Sequence, residues 1–214
     1  MKVYYVTIAV FVFLVLAACT GKEKKLPKSG KIEHISGDTA LAHVDGVEDE
    51  KIFQIPHAYI KYNSSMGVVR EMWFTDYGKL QYEEAWRIID GKRMGSQSWV
   101  IDGYKYDMQM GSQQMVKTPY KPEPATEYEK LTREQREQYQ IKKIGDETML
   151  GKYCSVVEFQ KPMPTTVWLY KGIPLKSHGN TGREEIIIEA EVFNESPVDA
   201  NMFVIPEGLT IIEL

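Results

Sequence analysis

Two thiols, four histidines and a group of C-terminal glutamates are the side chains of this sequence best suited to do chemistry. Cys19 has the most informative surroundings. A short positive start, Met1-Lys2, leads into Val3 to Leu16, which is apolar except for Thr7, and Leu16-Ala17-Ala18 runs up to the thiol. Small residues at 17 and 18 let a peptidase approach the backbone, and a thiol just beyond the cut is an acyl acceptor. A stretch of about fifteen apolar residues is too short to span a bilayer comfortably, so it reads as a cleaved leader. Cys154 stands between Tyr153 and Ser155 in a strand-like pattern without a Gly-rich elbow, and reads as a small buried hydrophobe. His178, in a Ser-His-Gly-Asn loop, is its one conceivable partner for nucleophilic chemistry. His34, His43, His57 and His178 are scattered without ligand spacing, so no metal or other cofactor is expected. Glu185, Glu189 and Glu191 alternate with Ile186, Ile188 and Ala190, the mark of a wet strand face. Gly145 and Gly151 bracket a turn, not a phosphate-cradling loop. The chain is expected not to be an enzyme.

The elements around these residues read mainly as strands. Removing the first 18 of 214 residues leaves 196, enough for one domain with a real core. The formal charge of -4 gives no basic face, so nucleic acid is not an expected partner. Thirteen Tyr and four Trp suit a β-rich domain or an amphipathic cavity. Residues 19–50 form the acylated Cys19 and a polar tether whose lysines either touch anionic headgroups or are simply solvated. The folded domain is expected over 51–214. Ile52 to Ile55, Ala58 to Tyr62, Val68 to Thr75 and Leu80 to Ile88 read as strands, as do Ser98 to Ile101 and Tyr104 to Met110, with hairpin turns at Asp90-Gly91 and Asp102-Gly103. Residues 118–125 read as a Pro-rich loop. Arg133 to Tyr139 then reads as a helix, capped by Thr132 with Gln135 reaching back. Tyr153 to Phe159, Thr165 to Tyr170 and Glu185 to Val192 return to strands, and Pro197 to Met202 makes one helical turn. The expected fold is an antiparallel sheet curved into an open, unclosed barrel, with one or two short covering helices. The concave side of such a sheet must be covered by a helix or by a ligand.

Leu16-Ala17-Ala18-Cys19 resembles the lipobox of bacterial lipoproteins. That resemblance implies a mature chain that starts at Cys19 and carries acyl chains, each buried methylene adding about 0.8 kcal/mol of membrane affinity. A second resemblance runs from about residue 52 to the end. It is carried by the order of six segments: Phe74 to Glu83, Val100 to Asp107, Leu131 to Glu134, Ile144 to Cys154, Trp168 to Lys176, and Met202 to Gly208. In that order the domain is similar to an uncharacterised branch of the outer-membrane lipoprotein-sorting (LolA/LolB-like) superfamily. The likeness implies an unclosed barrel wrapped around hydrophobic space, and non-catalytic capture of a lipid or acyl chain.

Tyr82, Trp86, Tyr104, Tyr106 and Met108 sit on the apolar faces of two strand runs read as neighbours. They are the candidate ligand-pocket residues, and core packing against a helix is the other fate open to them. Val167 and Leu169 oppose Trp168, so that strand is expected to be covered on both sides. A pocket of this kind would draw its binding energy from apolar burial, at about 25 cal/mol per Å². The expected partners are the membrane, through the acyl group, and a possible lipid or lipoprotein ligand; a protein partner is unknown. The alternative role is a structural or adaptor lipoprotein in an envelope assembly. Thr20 is not the Asp that retains such proteins at the inner membrane, so the resemblance points to the outer membrane, facing the periplasm.

Overall fold

The computed structural model describes residues 51–120, 133–161 and 163–214. Cys19, the leader, the tether, His34, His43 and Thr132 lie outside the described residues. Twelve strands form one sheet: β1 Ala58–Ser64, β2 Val69–Thr75, β3 Leu80–Ile89, β4 Lys92–Ile101, β5 Tyr104–Gln109, β6 Gln114–Pro119, β7 Lys142–Met149, β8 Lys152–Phe159, β9 Thr165–Tyr170, β10 Ile173–Asn180, β11 Glu185–Asn194 and β12 Thr210–Glu213. A seven-residue helix, α1 (Arg133–Tyr139), precedes β7, and a 3-10 turn covers Ala200–Phe203. The strand order is β12-β6-β5-β4-β3-β2-β1-β11-β10-β9-β8-β7. All neighbours are antiparallel except β12 against β6. β12 and β7 are free edges, so the barrel is unclosed. Both edges are protected: β12 has four residues, and β7 carries Lys142, Lys143 and a bulge between Lys143 and Gly145.

Local sequence explains much of this. Asp90-Gly91 and Asp102-Gly103 take left-handed φ at both positions (51° and 73°; 51° and 76°), the geometry that two-residue hairpins require. Register then sets the two faces. On one, Ala58, Ile60 and Tyr62 lie opposite Phe74, Met72 and Arg70. On the other, Tyr59, Trp73, Tyr82, Trp99 and Tyr106 stand opposite one another in turn, a row of rings across β1 to β5. Successive ring centroids along its first four members are 5.0, 5.4 and 4.8 Å apart.

The sheet bends toward the first face. Tyr120 follows β6, and its backbone N–H donates to the Gly103 carbonyl at the β4–β5 turn. Its ring nevertheless packs on the cluster built from Ala58, Ile60, Met72 and Phe74, and its hydroxyl lies within electrostatic reach of Arg70 on β2. β6 and β2 are four strand steps apart, about 19 Å along a flat sheet. Only a curved sheet closes that gap, so this face is concave. Ile52, Phe53 and Ile55 close one end of the same cluster. They were expected to form a strand. Instead Phe53 donates to Tyr77 and Gln54 to Lys171, single bonds that plug the opening without extending a ladder.

The chain after β11 crosses the sheet. Residues 195–209 return from β11 to the far edge across the convex face, and Val198, Met202, Phe203, Ile205 and Leu209 of this strap pack on Tyr82, Trp99, Tyr106, Met108 and Met115. The expected helical turn near Pro197 is the short 3-10 segment here, where Asp199 accepts from the Asn201 N–H at 3.0 Å.

Several strands were not legible. β7 and the first half of β4 are polar and largely exposed, and β12 is a short edge. β6 occupies part of what read as a loop. Residues 177–180 are the end of β10, with alternating burial, where a loop was expected. Trp168 joins the main cluster and Leu169 a smaller one with Ile141 and Val157, so β9 is covered on both sides as its pattern implied.

Close approach of β3 and β4 makes one glycine indispensable. A Cβ at Gly95 would overlap the Ala85 carbonyl oxygen and lie 2.7 Å from the Trp86 Cα, both backbone atoms of the paired strand. Gly95→Ala is expected to cost about 2 kcal/mol, as overpacking does when the backbone must move. Gly145→Ala, which meets nothing within 4 Å, is the matched control and should be near neutral. Urea midpoints of the two variants check this; equal midpoints would refute it.

Candidate ligand-binding face

The concave face differs from the convex one in side-chain size. Outward positions of β1 to β5 carry the aromatic row. Inward positions of β3 and β4 carry Ala85, Ser96 and Ser98 along with Gln81, Glu83 and Val100. The inward side chains of β1 and β2 are larger and apolar, with Ile60, Met72 and Phe74 exposed by 2% or less. This face is therefore apolar on β1 and β2 and mixed on β3 and β4, where small side chains stand beside Gln81 and Glu83.

One polar group sits at that boundary. Arg70 Nη2 and Glu83 Oε2 are 2.6 Å apart, with side chains 18% and 24% exposed. The guanidinium lies 5.3 Å from the Tyr62 ring centroid, and Nη2 is 3.9 Å from Met72 Sδ. Burial disfavours the Arg70 cation, but the Glu83 charge and hydrogen bond outweigh it and hold the pKa above its ordinary value. Tyr62 is 2% exposed. Burial raises its phenol pKa, so it keeps its proton at neutral pH. Its hydroxyl has no hydrogen-bond partner among the described residues. The sequence held a signal for this group. Arg70 is in phase with Met72 and Phe74, and a cation on the apolar side of a strand needs a partner.

The five residues expected to line a pocket all lie on the convex face. β4 runs between their two strands, which are not neighbours. Tyr82, Tyr106 and Met108 come together under the strap. Trp86 is half-buried, with the Arg93 guanidinium 4.2 Å from its ring centroid. Tyr104 is 39% exposed beneath Lys117, whose Nζ is 4.3 Å from its ring centroid. The Tyr82 hydroxyl donates to Glu84, which also accepts from Gln97 at 2.8 Å and from Arg93 at 2.5 Å, whereas the Trp86 indole N–H has no hydrogen-bond partner among the described residues. For Tyr82, Tyr106 and Met108, packing beneath the strap is the fate the structure displays.

Cys154 and His178 do not meet. Cys154 is fully buried, burial raises its thiol pKa, and its sulfur donates to the Lys152 carbonyl at 3.5 Å. His178 lies opposite Thr166, which lies opposite Glu158. Cys154 is four residues back along β8, about 13 Å at strand rise. His178 Nε2 instead sits 3.3 Å from Glu185 Oε2. Glu185, Glu189 and Glu191 are exposed, as their alternation implied. Among the described residues no three metal-ligating side chains cluster, and no helix is long and apolar enough to cross a membrane.

No family model matches the chain. No curated protein matches its sequence. Solved structures resemble this one, the first of them with a shared fold. An uncharacterised conserved protein from Thermus thermophilus superimposes with a TM-score of 0.54 at 8% identity, over 78% of this chain and 96% of that one. MucB in the Pseudomonas aeruginosa MucA/MucB complex gives 0.49 at 14% identity, over 78% of this chain and 61% of that one. This chain thus spans about three fifths of MucB. The Mycobacterium tuberculosis lipoprotein LppX gives 0.38 at 10% identity, over 68% and 90%.

Proposed function

We propose that this protein is an acylated bacterial envelope lipoprotein, of LolA/LolB-like kind, that holds a lipid or acyl chain against the concave face of its sheet without catalysis. The observation that carries the reading is the asymmetry of side-chain size. The convex face spends its large rings on packing beneath the strap. The concave face bears Ala85, Ser96 and Ser98 beside Ile60 and Met72. Ile60 and Met72 are already covered by protein, so in this reading a guest enters when the face opens, and the apolar neighbours then supply about 25 cal/mol for each Å² they cover. Anchoring through Cys19, with the domain facing the periplasm from the outer membrane, completes the reading and rests on the Leu-Ala-Ala-Cys segment and Thr20.

Organic extraction of the purified full-length protein, followed by lipid mass spectrometry, tests it. About one non-covalent acyl lipid per chain is expected, and the N-terminal peptide is expected to begin at an acylated Cys19. A preparation that yields no extractable lipid and takes up no dioleoylglycerol overturns the binding reading. Ligand contact through Trp86 and Tyr104 is the competing arrangement. Loss of uptake in Trp86→Ala or Tyr104→Ala, with uptake intact in Met72→Ala, would move the site to the convex face.

A further inference from the structure

The hairpin of β3 and β4 outruns the strands on either side of it. β2 pairs with β3 no further than Val69 opposite Trp86, and β5 pairs with β4 no further than Gln109 opposite Ser96. Three rungs continue past both: Arg87 opposite Met94, Ile88 opposite Arg93, and Ile89 opposite Lys92. At strand rise they carry the ribbon about 10 Å beyond its neighbours' last pairs. Ile88 is 60% exposed and Met94 53%, and Arg87, Asp90, Lys92 and Arg93 are exposed with them. Every rung sets one apolar side chain against one cation. A tip meant only for water has no use for the apolar half of that pattern, and a tip meant for a protein core has no use for the charged half.

We propose that residues 87–94 are a docking tip that enters the surface of an anionic phospholipid bilayer, with its apolar side chains toward the acyl layer and its cations at the phosphates. The inference rests on the envelope placement proposed above and is independent of the binding face. Charge selects the occupant. Within 87–94 three cations stand against one anion, Asp90, although the whole chain carries a formal charge of -4. Arg93 is held by Glu84 at 2.5 Å and lies 3.7 Å from Glu71, so it fixes the base of the tip. Arg87 and Lys92 have no ion-pair partner among the described residues, which leaves them for phosphates. Long cationic side chains keep their heads at headgroup level while apolar neighbours lie deeper, and each rung supplies one of each. Position separates this contact from the acyl anchor. The chain from Cys19 reaches the domain at Lys51, whose Nζ is 4.1 Å from the ring centroid of Tyr77, in the turn that precedes β3. β3 then runs ten residues, from Leu80 to Ile89, so the tip is about 30 Å away.

Full-length protein in vesicles of dioleoylphosphatidylcholine, with or without an equal share of dioleoylphosphatidylglycerol, tests the inference. A nitrobenzoxadiazole dye is placed on Ile88→Cys at the tip and, separately, on Val204→Cys in the strap, a position 63% exposed. Cys154 has no exposed surface and stays unlabelled. Phospholipids spin-labelled in the acyl chain quench a dye that enters the bilayer. Quenching is expected at 88 in the phosphatidylglycerol vesicles and not at 204, and high salt should abolish it. Arg87→Gln or Lys92→Gln, added singly, should each weaken the tip's contact about fivefold, the worth of one cation near an anionic surface. Both positions are exposed, so the unfolding midpoint should not move. No quenching at 88, equal quenching at 88 and 204, or equal quenching with and without phosphatidylglycerol overturns the inference while leaving the acyl anchor intact. A photo-crosslinker at 88 that captures a protein and no phospholipid in intact cells also overturns it and hands the tip to a protein partner. Protein that floats with neither vesicle lacks the anchor, and the envelope placement falls together with the tip.

Discussion

Phe74→Ala is expected to lower the unfolding free energy by about 4 kcal/mol, within the range for truncating a fully buried phenylalanine. Phe74 has no exposed surface and lies on β2 at the mouth of the concave cluster. Its ring centroid is 4.5 Å from that of Phe53, the residue that plugs the open end. On its other side Phe53 presses against Gly78, where a Cβ would come within 2.6 Å of its ring and where φ is +91°. The plug is thus held between a ring beneath it and a backbone position that only glycine suits. Removing the lower ring leaves a cavity that neither β2 nor the Gly78 turn can collapse to fill. Urea unfolding followed by tryptophan fluorescence gives the magnitude. Ile88→Ala is the control, since Ile88 is 60% exposed and surface truncations usually stay within about 0.5 kcal/mol. A loss at Phe74 below about 1.5 kcal/mol would mean that the plug repacks freely. A second readout is local: proteolysis should become faster within 51–57 in Phe74→Ala than in a convex-face variant of equal stability.

Period-two alternation made the sheet legible wherever one face was buried. β1, β2, β3, β5, β8, β9 and β11 stand near their expected places, and both Asp-Gly turns are hairpins. It failed where neither face is strongly buried, as in β7 and the start of β4, because alternation carries no signal when both sides are wet. Single-strand periodicity also cannot say which face is concave. Tyr82, Tyr106 and Met108 read as lying on the apolar faces of two neighbouring strands; β4 separates those strands, and the three side chains pack beneath the strap. Their face is convex only because the chain after β11 crosses to the opposite edge and lies on it, a fact of topology. The concave group was visible but under-read. Arg70 and Glu83 look like ordinary strand charges until register brings β2 and β3 together in a phase where both point inward.

Glu83→Ala should cost about 3 kcal/mol, the low end for breaking a buried ion pair from one side. The low end applies because Arg70 keeps 18% of its side-chain surface and also feels Tyr62 and Tyr120. The exposed pair Lys117–Glu213 has the same kind of contact, 2.8 Å, yet Glu213 is 73% exposed, so Glu213→Ala should cost under about 1 kcal/mol. Equal losses at the two sites would show that water reaches the concave pair as freely as the surface one. The double variant Arg70→Met with Glu83→Leu separates stability from function. Replacing both charges with apolar groups of similar size is often neutral or stabilising, so most of the single-variant loss should return. The Tyr62 ring would then lack the guanidinium on its face, and the hydroxyl would be free to turn. Recovered stability combined with lost dioleoylglycerol uptake would assign the ion pair a part in ligand binding. Recovered stability with uptake retained would leave the pair a packing element.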